Sequence, residues 1–361
     1  MFYRAIGLMS GSSLDGVDLV FAEFNEQGGN WSFEIKQGAC YSYDQKWKDR
    51  LANARTFSAL DYQVLHAEYG RYTGELVNRF IDEFQLYHQV QLVVSHGHTV
   101  FHSPAQKITA QLGDGAAIAA VTGLNVVSDL RAMDVALGGQ GAPIIPIGEK
   151  LLFKDYIYFL NLGGIANLSA HLNHQIIAFD VCPANRVLNM LTQLESIEYD
   201  DGGNMAARGS VNEKLLVQLD SLEYYSMPYP KSLSNEFGTE LVFPMIAESR
   251  LDTCDALATC CHHISRQIAA SLKPLVEQGG SGQLLITGGG AHNHFLVSEI
   301  ENQLRPMGIE IKVPDAQIVD FKEALVMALI GVLRWRQENN VLAESTGASR
   351  SSVGGALWNG T

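Results

Sequence analysis

One short design is written into this chain twice, and it constrains the fold more than any other feature. "IGLMSGSSLDGVDLVFAEF", Ile6 to Phe24, sets two apolar runs on either side of a small, hydroxyl-rich turn. "YIYFLNLGGIANLSAHL", Tyr156 to Leu172, repeats strand, glycine turn and strand with little identity to the first copy. A third strand follows each copy, around Phe33–Ala39 and at "QIIAFD", Gln175 to Asp180. Short apolar runs bounded by glycine turns read as strands. The echo predicts an α/β protein of two related halves, which 361 residues can supply.

Further strands are expected at "VQLVVSH" (Val90–His96), "GLNVVSDLR" (Gly123–Arg131), "QLLIT" (Gln283–Thr287) and "IEIKVPD" (Ile309–Asp315). A mostly helical stretch runs from about Lys46 to Phe84, with Leu60, Val64, Leu65, Tyr69 and Tyr72 at helical spacing. Leu257, Cys261, Ile264, Ile268, Leu272 and Leu275 mark one face of a strong helix. Another helix starts near Asn293, and a final one, roughly Phe321 to Arg336, buries Phe321, Leu325, Ala328 and Val332. "GGQGAP", Gly138 to Pro143, is the strongest breaker. It places the boundary between a first lobe, 1–140, and a second, 141–361, with the last residues free to return to the first.

A formal net charge of −14 argues against nucleic acid and anionic membrane as partners, since both call for basic patches. The N-terminus has no apolar segment of signal-peptide length, and no run approaches the ~20 apolar residues of a membrane span. Five cysteines, an odd number without framework spacing, fit reduced thiols. A soluble cytoplasmic protein is expected.

Three glycine turns carry the chemistry: Ser10–Gly16, Asn161–Asn167 and Thr287–Asn293. Backbone N–H groups in such turns point at anions, and glycine lets the backbone approach closely. None matches the P-loop pattern, and "GGGAHN" fails the dinucleotide fingerprint. The first turn is odd, because it brings Asp15 and Asp18 and no basic residue. "SHGHTVFH" holds His96, His98 and His102 and invites a zinc reading, but no nearby carboxylate or cysteine completes a site. "CCHH", Cys260 to His263, lies on a helix whose apolar face already claims Cys261, so it reads as core. Asp180 ends an apolar strand, where it could serve as a general base or cap the following helix. Glu323 at a helix start and Arg131 after a strand are open in the same way.

"GLMSGSSLDGVD", "SHGHTVFHSP", "QLGDGAAIA", "GGQGAPIIP", "NLGGIANLS", "KSLSNEFG", "TGGGAHN" and "KEALVMALIG" occur in this order. Together they resemble the anhydro-N-acetylmuramic acid kinases from Ile6 to about Trp358. The resemblance implies the two-lobed sugar kinase/Hsp70/actin (ribonuclease H-like) fold, with duplicated βββαβα cores and an interdomain cleft. It also implies an activity: 1,6-anhydro-N-acetylmuramic acid, ATP and water give N-acetylmuramic acid 6-phosphate and ADP, returning cell-wall sugar to metabolism. A homodimer is implied as well. Another sugar kinase of this fold, or an Hsp70/actin-like ATP-switched binding protein, is the alternative.

Carried over by residue, the resemblance makes Asp180 the general base acting on water and places Thr99, Arg131 and Glu323 at the sugar. The ATP residues implied are Gly11, Ser12, Ser13, Leu14, Asp15, Gly16, Val17 and Asp18 in the first turn. Gly163, Gly164 and Asn167 follow in the second, and Gly288, Gly289 and Gly290 in the third. Asp15 or Asp18 would face Mg²⁺. The chain departs from the family pattern where D-T-G-P-G-N reads "DVCPAN", with Val181, Cys182 and Ala184, and where His98 replaces a glutamine.

Overall fold

The computed structural model describes residues 1–11, 14–172 and 175–360. Two compact units result, Met1–Lys154 with Phe321–Thr361, and Asp155–Asp320.

The first unit opens with β1 (Phe2–Met9), β2 (Gly16–Gln27) and β3 (Asn30–Ser42), an antiparallel meander. β4 (Leu92–Ser95) then joins β1 in parallel; a side hairpin of β5 (His98–Ser103) and β6 (Ile108–Leu112) follows. β7 (Val126–Ser128) runs parallel to β4, and the last strand, Ala356–Trp358, closes the edge antiparallel to it. The second unit repeats the scheme with β8 (Tyr158–Leu162), β9 (Ile165–Leu172) and β10 (Gln175–Pro183), then β11 (Gln283–Thr287) and β12 (Glu310–Lys312). Its order is β10-β9-β8-β11-β12, with β11 parallel to both β8 and β12. Three antiparallel strands followed by parallel ones, in each unit, are the duplicated ribonuclease H-like core.

The expected helical stretch after Lys46 is two helices, Gln45–Asn53 and Ala59–Glu83. Ser58 caps the second by accepting from Asp61 N–H at 3.2 Å. Leu65, Tyr69, Leu76 and Phe80 form its buried stripe. Leu60 and Val64, expected on that stripe, lie off it and are 73% and 46% exposed. In the second unit the helix Thr253–Gly279 buries all six residues of its expected face. No helix among the described residues is long and apolar enough to cross a membrane.

"GGQGAP" does not end the first unit, which runs on to Lys154 and resumes at Phe321. Gly141 N–H donates to Asp134 Oδ2 at 2.8 Å, and Gln140 N–H to the Thr346 carbonyl at 2.9 Å. Thr346 Oγ1 donates to the other Asp134 oxygen at 2.7 Å. A run that looks like a linker is thus tied on both sides to its own unit.

The last long helix, Ala316–Trp335, starts earlier than its apolar pattern suggests and presses on the first sheet. A Cβ at Gly7 on β1 would stand 2.0 Å from the Ala324 carbonyl oxygen and 2.8 Å from Ala328 N. A Cβ at Gly331 on that helix would stand 2.1 Å from Val94 Cγ2. These glycines set how closely helix and sheet approach. Gly7→Ala should therefore lower stability by about 1–3 kcal/mol, read as an earlier denaturant midpoint; a wild-type midpoint would contradict this packing.

Candidate active site

Asp180 lies two-thirds of the way along β10, opposite Asn167 of β9, where the ladder slips between Asp180 and Cys182. A bulge of this kind re-aims a side chain at a strand's end. One carboxylate oxygen accepts from Asn167 Nδ2; the other accepts from Leu233 N–H at 2.8 Å. The Asp180 backbone is held too: its N–H donates to the Lys231 carbonyl at 3.1 Å, and its carbonyl accepts from Tyr224 OH at 2.6 Å. Asp180 does not cap the next helix, Asn185–Gln193, whose N-cap is Ala184 with no side-chain hydrogen bond. Burial raises its pKa above the usual aspartate value, while the Leu233 N–H and the Asn167 amide pull it down. A half-buried, oriented carboxylate of raised basicity suits proton abstraction.

Val181, Cys182 and Ala184, the departures beside Asp180, are fully buried in the second unit's core. They change the packing of the core beside Asp180.

The second glycine turn joins β8 to β9 and meets the start of the helix Asn185–Gln193. Gly164 O accepts from Ala184 N–H at 2.9 Å, and Gly163 O from Asn185 N–H at 3.1 Å. The nearest atoms to a Cβ at Gly163 and Gly164 would be 3.5 and 3.6 Å away, and neither residue is in the left-handed region. Neither the chain's packing nor its backbone demands glycine there. Gly289 is likewise not demanded by packing, with its nearest atom, Asn185 Nδ2, 3.8 Å off. Gly288 and Gly290 are different: a Cβ would stand 2.4 Å from Asn161 Oδ1 and 2.7 Å from Leu162 Cβ respectively. They press the third turn onto the second, and Asn185 Nδ2 ties the same place by donating to Leu162 O at 2.8 Å. Asn167, expected at ATP, donates its side-chain amide to Asp180.

In the first unit, Ser12 and Ser13 lie outside the described residues, next to Gly11. Leu14 packs against the apolar core with φ of 60°, and Val17 is buried within it. Gly16 is required by the sheet, since a Cβ would stand 2.4 Å from Tyr41 O. Asp15 is exposed, and its carbonyl braces the hairpin by accepting from Tyr43 N–H at 3.1 Å. Asp18 is half-buried on β2, opposite Met9.

Arg131, His96 and Glu323 form one electrostatic group. Arg131 Nε donates to His96 Nε2 at 2.9 Å, which leaves the His96 proton on Nδ1, donating to Gly97 O at 2.8 Å. Burial and the Arg131 charge push His96 down to about 3, so it is neutral at physiological pH. Burial lowers Arg131 to about 10, against the opposing pull of Glu323. Burial raises Glu323, with Lys322 and then Arg131 acting the other way. Lys322 itself forms a buried ion pair with Glu149 at 3.2 Å. Thr99 is half-buried on β5, where its hydroxyl accepts from Gln111 Nε2 at 3.3 Å.

His98 belongs to a separate chain of hydrogen bonds. Its Nδ1 meets Ser10 Oγ at 3.1 Å, Ser10 Oγ meets Tyr43 OH at 2.8 Å, and Tyr43 OH meets Tyr69 OH. Burial lowers it to about 4. The histidines of "SHGHTVFH" therefore point to separate partners, and no cluster of three metal-ligating side chains occurs among the described residues. "CCHH" is core: Cys260 and Cys261 are buried, and His263 bonds Asp220 at 2.7 Å and Tyr225 at 3.0 Å.

The residues that sequence reasoning missed are those that hold others. Tyr224, Lys231 and Leu233 fix Asp180 partly through backbone groups, which leave no trace in composition. Asp134 anchors the "GGQGAP" turn beside Arg131, where a Cβ at Gly141 would lie 3.6 Å from Arg131 Cβ.

The family model for anhydro-N-acetylmuramic acid kinase matches residues 3–360. The anhydro-N-acetylmuramic acid kinase of Vibrio cholerae is 31% identical over 366 residues, covering 98% of this chain and 97% of its own. That of Coxiella burnetii is 31% identical over 372 residues, with the same two coverages. Among solved structures, the Clostridium difficile activator of 2-hydroxyisocaproyl-CoA dehydratase aligns with 90% of this chain and 93% of its own, at 14% identity and a TM-score of 0.46. Matched along nearly its whole length, this chain belongs to the anhydro-N-acetylmuramic acid kinase family.

Proposed function

We propose that this protein is the ATP-dependent kinase that opens 1,6-anhydro-N-acetylmuramic acid with water and phosphorylates O6, giving N-acetylmuramic acid 6-phosphate and ADP. The observation that carries this reading is Asp180, a half-buried carboxylate oriented by Asn167 and Leu233 in a chain matched from residue 3 to 360. Asp180 takes a proton from the water that attacks the anomeric carbon. The bridge then breaks toward O6, and the freed oxygen attacks the terminal phosphorus of ATP. Arg131 and Thr99 hold the sugar and its lactyl carboxylate, with Glu323 beside them. A guanidinium kept cationic while partly withdrawn from water is suited to a carboxylate.

The bare backbones of Gly163, Gly164 and Gly289 serve the nucleotide. The first turn, Gly11 to Asp18, serves its phosphates. Mg²⁺ needs only one or two carboxylates when phosphates and waters fill its shell, so Asp15 and Asp18 fit it without a larger cluster. The ion's chemistry there is neutralisation of phosphate charge. Work as a homodimer in the bacterial cytoplasm, in peptidoglycan recycling, follows from the family resemblance.

Two outcomes test the roles in the second unit. Asp180→Asn should reduce turnover by ~10² or more with ATP affinity nearly unchanged; a wild-type rate would remove Asp180 from the mechanism. The base must be ionised, so turnover falls as pH drops through its raised pKa. Asn167→Ala removes a donor that favours the charged form and should move the acid limb of kcat, at saturating ATP, to higher pH. A limb that stays put or moves down would separate Asn167 from the basicity of Asp180.

A further inference from the structure

Arg186 is the second residue of the helix Asn185–Gln193, whose first turn has no acidic residue and whose N-cap offers no side-chain hydrogen bond. A helix N-terminus carries partial positive charge, so a cation placed there is disfavoured unless an anion joins it. The chain has carboxylates in excess, with a net charge of −14, yet among the described residues none forms an ion pair with Arg186. Among the described residues the buried Nε of Arg186 has no hydrogen-bond partner. The other half-buried arginines do not share this state: Arg4, Arg50, Arg266 and Arg336 pair with carboxylates, Arg131 donates to His96, and Arg334 to the Gly355 carbonyl.

The side chain lies along the second glycine turn. A Cβ at Gly164 would meet Arg186 Cβ and Nε at 3.6 Å and Nη2 at 3.9 Å. Arg186 N–H donates to Gly164 O at 3.4 Å, so backbone and side chain together follow the turn. A cation without a counter-charge, a wrong-signed helix end and a bare glycine backbone thus coincide in one place. All three costs fall when a polyanion binds. The geometry points to Arg186 as a residue that grips the phosphate chain of the nucleotide at the second glycine turn. Its planar fork matches two phosphate oxygens at once, which a lysine ammonium cannot do. This inference rests on the reading of the chain as an ATP-dependent kinase.

The test is calorimetric binding of Mg²⁺-ATP and of adenosine to the wild-type protein, Arg186→Gln and Arg186→Lys, with thermal melting of each. Arg186→Gln should weaken ATP ~10- to 100-fold, the loss of a charge-assisted bond, and leave adenosine within about twofold. Arg186→Lys should fall between them, because the charge remains and the fork is lost. If Arg186→Gln does not fold, the lysine variant decides alone: ATP weakened with adenosine unchanged supports the assignment. ATP bound at wild-type strength by a folded variant overturns it, as does equal weakening of ATP and adenosine. A wild-type protein that binds no ATP overturns the kinase reading itself, a result distinct from a variant that binds as well as wild type.

Discussion

A carboxylate drawn partly out of water keeps its charge only where donors replace the lost hydration. Asp180 meets that condition with one donor from its own sheet and one from a segment 53 positions further on. The bulge after Asp180 turns its side chain out of the ladder, and the Tyr224 hydroxyl and Lys231 carbonyl fix the backbone that carries it. Lys231 is fixed in turn, with its ammonium 4.5 Å above the Tyr224 ring and donating to the Tyr224 carbonyl at 3.2 Å. The result is a carboxylate whose orientation is set by the protein's own donors, the kind of preorganisation that lowers the reorganisation left for a reaction.

The two units solve different problems with one sheet design. In the first, polar groups gather beyond the β4 and β7 ends, where His96 follows Ser95 and Arg131 follows the turn after Ser128. In the second, the β8–β9 turn, the β10 end and the turn after β11 share one neighbourhood through Asn185, Gly288 and Gly290. Ligands of open α/β sheets bind beyond the carboxyl ends of strands, and both groups sit there.

Much of this architecture was legible because strands bounded by glycine turns and a helix with a six-residue apolar face carry local signals. The first turn's aspartates were visible as a charge anomaly, and Asp180 as a strand-end carboxylate with two open roles. The capping role is removed by Ala184 as the N-cap, a backbone fact. "GGQGAP" misled as a boundary because composition cannot show that Asp134 and Thr346, the latter some two hundred positions later, hold it. Leu60 and Val64 misled because spacing alone does not say which stripe of a long helix faces the sheet. Arg186 gave no signal at all: only its missing partner and its place beside Gly164 single it out.

In the reaction proposed for this protein, water activated by Asp180 opens the sugar before the sugar's own oxygen takes the phosphoryl group. Turnover of 1,6-anhydro-N-acetylmuramic acid with Mg²⁺-ATP in ¹⁸O-water, quenched before the anomeric hydroxyl exchanges, tests it most directly. Label is expected at C1 of N-acetylmuramic acid 6-phosphate and none in its phosphate. Label in the phosphate, or an unlabelled C1, would contradict it.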